Sequence, residues 1–414
     1  MNQVLELAKE ARSAGRALAV ATTTRKNDVL LRAAELTRAG QAEILAVNAV
    51  EVERARARGI TGPLLKRMVL DEGKLAAMVT GLTAVVDLPD PVGEVVRGWR
   101  RPNGLDIRQV RVPLGVVGVI YESRPNVTMD AAALCLKAGN ACLLKGGTEV
   151  QETNRILVRV WREALAAGGL PAAAVGLVEG GREAAGYLMT LREYVDLLIP
   201  RGGAGLIRRV VEEAKVPVIE TGVGVCHVYV DRSADLEKAL SVIVNAKTSN
   251  PAVCNAAETL LVDAPVAAVF LPAARLALEA KGVELRGCPE TCRILPGVTA
   301  ASEEDWGTEY LDLTLAVRVV DGVEEAVAHV TRYGTRHSET IMAEDYARGR
   351  MFLEQVDAAA VYWNASTRFT DGFEFGFGAE IGISTQKVGA RGPMGLPELT
   401  TTKYLVLGEG QVRN

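Results

Sequence analysis

The sequence predicts an α/β protein: a doubly wound, parallel-sheet part followed by a second α/β run. Three observations carry this. Short apolar runs alternate with amphipathic helical patterns from residue 116 onward. Those runs are apolar almost throughout instead of alternating, as in strands covered on both faces. Ala, Val and 41 glycines dominate while aromatics are few, which suits many tight strand–helix turns. At 414 residues the chain is too long for one ordinary core, so two or three domains are expected.

Residues 1–90 read mostly as helices, with apolar residues three and four apart through NDVLLRAAELTRAGQAEILAVNAVEVERARA. Residues 93–115 then form two extended segments joined at Arg101-Pro102-Asn103-Gly104, where Gly104 can take a positive φ. Leu105 and Ile107 alternate, Val110 and Val112 alternate one residue out of phase, and the slip predicts a bulge. A two-stranded ribbon is marginal alone. Packing against another subunit and a plain surface hairpin both fit this pattern.

From 116 to 230 the expected strands are 116–121, 141–145, 174–178, 195–199 and 216–220, with helices such as 153–168 and 204–214 between them. Right-handed crossovers make this a doubly wound domain. In the second run, helix 234–248 leads to strand 258–263 and helix 266–281, followed by strands 315–320, 338–343 and 358–364. A glycine-rich tail, 369–399, precedes a last strand at 401–408.

The net charge of −4 is mild, and no basic run offers a footprint for nucleic acid. No apolar run approaches the ~18 residues of a membrane span, and the first helix carries acids within its apolar periodicity, unlike a signal peptide. A cytoplasmic, reduced protein is expected. The six cysteines lack metal-type spacing. Cys288 and Cys292 form C-x3-C without a second ligand pair, so no metal is expected.

The phosphate-loop fingerprint is absent. VEGGREAAG (178–186) places Gly180 and Gly181 between a strand and a helix, which suits either a phosphate or adenine contact or simply a tight turn. Lys145 ends a buried strand, where open α/β sheets bind ligands and where a solvated lysine is equally at home. Cys226 and His227 are neighbours on an expected strand and so point to opposite faces, which prevents mutual activation. Cys135 and Cys142 fall in apolar patterns as core thiols. Cys254 instead lies in a loop between the α/β halves, where clefts form. On spacing alone it reads as either a small hydrophobe or a nucleophile.

Four stretches decide between these readings: ESRPNVTMDAAALCLKAGNACLLKGG (122–147), VPVIETGVGVCHVYVD (216–231), NPAVCNAAETLLV (250–262) and STQKVGARGPMGLPELTT (384–401). Together they resemble the gamma-glutamyl phosphate reductase (glutamate-5-semialdehyde dehydrogenase) family of the aldehyde dehydrogenase superfamily, in order and over essentially the whole chain. One departure is Gly389, where that family usually has histidine.

The resemblance implies an aldehyde dehydrogenase-like architecture. Its Rossmann-like cofactor domain would span 1–92 and 114–232, with 376–400 returning to it. An oligomerisation ribbon would comprise 93–113 and 401–414, and 233–375 would form the catalytic domain. The implied reaction is NADPH-dependent reduction of L-glutamyl 5-phosphate to L-glutamate 5-semialdehyde and phosphate, the second step of proline biosynthesis. Cys254 would be the nucleophile, and the Asn126 amide and the Cys254 N–H would serve as oxyanion donors. Lys145, Gly180, Gly181 and Glu309 would meet NADPH, with Lys145 at the adenosine ribose and Glu309 at the nicotinamide ribose. Glu220 matches the acid that activates hydrolytic water in oxidising relatives, a role a reductase should avoid. Arg124, Lys387 and Arg391 are candidate cations for the substrate's charged ends. A homodimer or homotetramer is implied, with glutamate 5-kinase as a possible partner and neither nucleic acid nor membrane. The rival readings are an oxidising NAD(P)-dependent aldehyde dehydrogenase and a non-catalytic homologue.

Overall fold

The computed structural model describes residues 1–413, which fall into two compact units. Unit 1 holds Met1–Thr221, Gly376–Gly382 and the chain from Met394 on; unit 2 holds Gly222–Phe375 and Ile383–Pro393. The chain is α/β, as its patterning predicts.

Unit 1 opens with helices Asn2–Leu18, Thr23–Ala39, Gln41–Ala57, Gly62–Met68 and Glu72–Asp87. Thr22 and Asp71 cap the second and fifth by accepting the N–H groups of Arg25 and Lys74. Strands β1 (Val95–Arg100) and β2 (Asp106–Pro113) follow, then β3 (Val116–Tyr121), β4 (Ala141–Lys145), β5 (Val175–Leu177) and β6 (Leu197–Arg201). The last four form a parallel sheet in the order β5-β4-β3-β6. β3 and β4 are buried at every residue, which is why their sequences are apolar up to Lys145 at the end of β4. The expected strand at 216–220 reduces to a single parallel bridge between Leu198 and Val218. Pro217 has no N–H to donate, so the ladder stops there.

Unit 2 is built on β7 (Cys226–Val230), β8 (Ala257–Asp263), β9 (Glu284–Gly287), β10 (Thr299–Ala300), β11 (Thr314–Val320), β12 (Ser338–Met342) and β13 (Ala360–Trp363). All pairings are parallel, in the order β10-β9-β11-β8-β7-β12-β13. A small antiparallel pair, β14 (Ile383–Ser384) and β15 (Gly392–Pro393), belongs to the same unit. Val228, Val230, Ile243, Leu260 and Phe270 anchor one face of the large sheet. The C-x3-C sulfurs are used locally: Cys288 Sγ accepts the Thr291 N–H at the start of helix Pro289–Ile294, and Cys292 donates to the Gly287 carbonyl.

On β7, Cys226 and His227 have separate surroundings. Cys226 donates to the Cys254 carbonyl (3.2 Å), whereas His227 Nδ1 lies 2.9 Å from Glu339 on β12. His329 packs edge-on to His227 and Trp306 and against Tyr333, and neither of its ring nitrogens has a hydrogen-bond partner. Burial pushes its pKa down from 6.5 to about 2. Below about pH 6.5 the unfolded chain therefore binds a proton that the folded chain refuses, so His329 removes about 1.4 kcal/mol of stability per pH unit across that window. His329→Phe is expected to flatten the fall of Tm between about pH 7 and about pH 5. An unchanged slope in thermal unfolding would contradict the assignment.

The last strand, β16 (Thr400–Leu407), pairs antiparallel with β2, which pairs antiparallel with β1. The register breaks between Val95 and Arg97, opposite Val110 and Gln109. The slipped pattern at 105–112 points to a bulge on that strand; instead β2 pairs with β16 without a break, and the extra residue is Val96, on β1. Gly104 takes φ +91° in the connecting turn. Four consecutive β16 residues, Tyr404 to Leu407, are exposed, Tyr404 by 53% and Val406 by 55%, so this chain covers neither face of the ribbon. No helix among the described residues is long and apolar enough to cross a membrane.

Candidate active site

Cys254 sits in the loop between helix Leu236–Thr248 and β8. Pro251 and an Asn250 side chain that accepts the Ala252 N–H (3.3 Å) turn the chain after the helix. Cys254 is half-buried, and no disulfide engages any of the six cysteines. Its carbonyl lies against Gly224. A Cβ built on Gly224 would overlap that oxygen and sit 2.7 Å from the Cys254 Cα, so only glycine allows the approach. The Gly224 N–H donates to Glu309 Oε1 at 2.8 Å. Glu309, Gly224 and Cys254 thus form one connected group.

The loop carrying Glu309 has its own support. Leu311 adopts φ +53°, and its N–H donates to Glu258 on β8 at 3.2 Å. Glu258 is fully buried and 2.5 Å from the equally buried Lys247. Burial raises the Glu258 carboxyl pKa and lowers that of the Lys247 ammonium, while each favours the other's charged form.

Asn255, beside the cysteine, ties the loop to residues 366–370. Its amide donates to the Thr370 and Arg368 carbonyls, its own carbonyl accepts Thr367 Oγ1 (2.7 Å), and its Oδ1 accepts Arg368 Nη1. Arg368 Nε donates to Ser249 Oγ at 3.0 Å. Elsewhere in unit 2, Lys387 and Arg391 converge on Asp357, at 2.6 and 2.8 Å, and hold its carboxyl down to about 2. Gly389 between them takes φ +93°, a conformation that suits glycine.

In unit 1 the residues expected to meet a cofactor gather at the carboxyl ends of the strands. Lys145 is only 6% exposed and donates to the Gly146 carbonyl at 2.6 Å; burial lowers its pKa. It lines a cleft of about 870 Å³ together with Tyr121, Gly146, Gly181, Arg182 and Arg209. Gly180 takes φ +99°, and a Cβ on Gly181, at the start of helix Arg182–Thr190, would enter open space. Glu122, Glu149 and Glu213 also line it, the last paired with Arg209; a cleft of this size at strand carboxyl ends fits a dinucleotide. Asn126, in the first turn of helix Pro125–Lys137, is exposed and donates to Asp130 at 3.1 Å. Burial raises the Asp130 pKa to about 6. Arg124 occupies the N-cap position of the same helix, and Glu220 follows the Leu198–Val218 bridge; both are half-buried.

The structure therefore joins Cys254 to Glu309 and places Lys145 and Gly181 on one cleft. Reasoning from the sequence missed Gly224, Asn255, Arg368, Arg182 and Arg209. The glycines of ETGVGVC hint at a close approach, whereas nothing in NASTRFTDG singles out Arg368.

The aldehyde dehydrogenase family model matches residues 1–289. A gamma-glutamyl phosphate reductase of Carboxydothermus hydrogenoformans is 58% identical over 414 residues, covering 100% of both chains. The crystal structure of gamma-glutamyl phosphate reductase from Thermotoga maritima is 50% identical, with a TM-score of 0.96, covering 99% of this chain and 100% of that one. An acetylating aldehyde dehydrogenase from Geobacillus thermoglucosidasius, 18% identical with a TM-score of 0.74 over 100% of this chain and 98% of that one, shares the fold. The chain belongs to the aldehyde dehydrogenase family and, within it, to the gamma-glutamyl phosphate reductases.

Proposed function

We propose that this chain reduces L-glutamyl 5-phosphate to L-glutamate 5-semialdehyde and phosphate, with Cys254 as nucleophile. The observation that carries the reading is the seating of Cys254 on Gly224, whose N–H is held by Glu309. The Cys254 sulfur attacks the acyl carbon, the C–O bond to phosphate breaks, and a thioester remains. Lys145 and Gly181 would help hold a nicotinamide cofactor, which when bound would supply the hydride. Collapse of the resulting thiohemiacetal breaks the C–S bond, releases the aldehyde and restores the thiolate. The Cys254 N–H is proposed to hold the oxyanion, such a donor being worth about 3–4 kcal/mol; the Asn126 amide, in unit 1, is proposed as a second donor on family resemblance alone. Glu309 Oε1 accepts from Gly224, which leaves its second oxygen for the nicotinamide ribose. Arg124, Lys387 and Arg391 are the proposed substrate cations, the last two shared with Asp357.

NADPH is the proposed cofactor: Lys145 and Arg182 are the cations on the cleft wall proposed to take its 2′-phosphate, Arg209 being paired with Glu213. Gly180 and Gly181 open the helix beside it. A charge-assisted contact contributes about 1.5–3 kcal/mol, so Lys145→Met should raise KM for NADPH about 10- to 100-fold while changing KM for NADH far less. Equal effects on both cofactors would contradict this assignment. We further propose that the exposed ribbon of β1, β2 and β16 is covered by another copy of the chain in a homodimer or homotetramer. Running the reaction backward tests the whole reading. NADP reduction by glutamate 5-semialdehyde should require phosphate or arsenate, and phosphate-independent oxidation would overturn it.

A further inference from the structure

We propose that Arg368 receives the departing phosphate when Cys254 attacks the acyl phosphate; this inference rests on the functional reading above. Arg368 spans the cysteine loop, with Nε on Ser249 at one end and Nη1 on Asn255 at the other. Both partners are neutral, and among the described residues no carboxylate forms an ion pair with it, Asp371 acting on it only at longer range. A half-buried guanidinium with no directly paired carboxylate gains from an arriving anion. Two of its five N–H groups are committed, and the other three, on Nη1 and Nη2, suit bidentate binding of a phosphoryl group. Its charge also reaches the thiol. Burial is the main influence lowering the Arg368 pKa, and the charge of Cys254 is the first that opposes it. As the S–C bond forms, the C–O bond breaks and its electron pair leaves on the phosphate oxygen. A fixed cation at that oxygen stabilises the leaving group without taking a proton.

The test is the phosphate dependence of the reverse reaction, with inorganic phosphate as the probe. Arg368→Gln should raise KM for phosphate at least about tenfold, with KM for NADP within about twofold of wild type. Arg368→Lys keeps the charge but loses the fork, and should fall between them. In the wild type, phosphate should also slow alkylation of Cys254, and this protection should be lost in Arg368→Gln. If Arg368→Gln does not fold, the lysine variant decides. Unchanged phosphate saturation in a folded variant overturns the proposal, as does a rise in KM for the semialdehyde instead, which would place Arg368 on the substrate's carboxylate. A wild type that turns over without phosphate overturns the functional reading itself, and a wild type that needs phosphate while the variants match it overturns only the role of Arg368.

Discussion

Cys254→Ala is expected to lower the reduction of L-glutamyl 5-phosphate by about a thousandfold or more, because every later step depends on the thioester. The substitution removes one half-buried sulfur from a loop whose backbone is held by Asn255, Gly224 and Cys226. Fold and Tm should therefore change little, and NADPH affinity, read by the quenching of its fluorescence, should stay within about twofold of wild type. Generating the labile acyl phosphate in the assay with a glutamate kinase makes the comparison direct. Retained turnover would move the chemistry to another residue. The remaining cysteines are poor substitutes. Cys226 is fully buried, and burial together with the nearby Glu339 pushes its thiol well above the usual value. Cys142 is raised by its neighbour Cys135 and by burial. A thiol that titrates so high is neither a ready nucleophile nor an accessible one.

Gly224→Ala is expected to be nearly as damaging, although it touches no reacting atom. The added methyl overlaps the Cys254 carbonyl oxygen, so the cysteine loop must move on the order of 1 Å, and such a displacement of a reacting group costs about a hundredfold in rate. The same methyl pushes the Gly224 N–H off Glu309. Overpacking at one backbone contact lowers stability by about 1–3 kcal/mol, which a chain of this size should survive. The signature is a folded protein, by circular dichroism and thermal unfolding, with kcat reduced and KM for NADPH raised together. Gly222→Ala is a useful comparison. Its Cβ would meet the Thr385 side chain, which can rotate aside, so its effect on rate should be smaller. Equal, mild effects from both alanines would show that the cysteine loop tolerates displacement.

Legibility in the sequence follows the physics of each element. β3 and β4 were readable because strands buried on both faces must be apolar at every position. β9 was not, because Glu284 and Arg286 interrupt its four residues, and β10 spans only Thr299–Ala300. The stretch at 216–220 has the composition of a strand, yet Pro217 withholds the donor a ladder needs. Gly104 was legible because a turn of this type demands positive φ. In the candidate site, Cys254 stood out locally as a thiol in a loop between two α/β runs. Glu309 entered only through family resemblance, since it meets Gly224 across 85 residues of chain. Arg368 left no local signal at all: its partners Ser249 and Asn255 lie more than a hundred residues upstream, and only the fold brings them together.

If the acyl group passes through a thioester on Cys254, the intermediate can be trapped by withholding phosphate. Wild-type enzyme is mixed with glutamate 5-semialdehyde and NADP in the absence of phosphate, followed by rapid quenching and peptide mass spectrometry. The expected result is a burst of NADPH stoichiometric with active sites, a glutamyl adduct on the peptide carrying Cys254, and discharge of that adduct when phosphate is added. Steady NADPH formation without phosphate and without an adduct, or an adduct on any other residue, would contradict it.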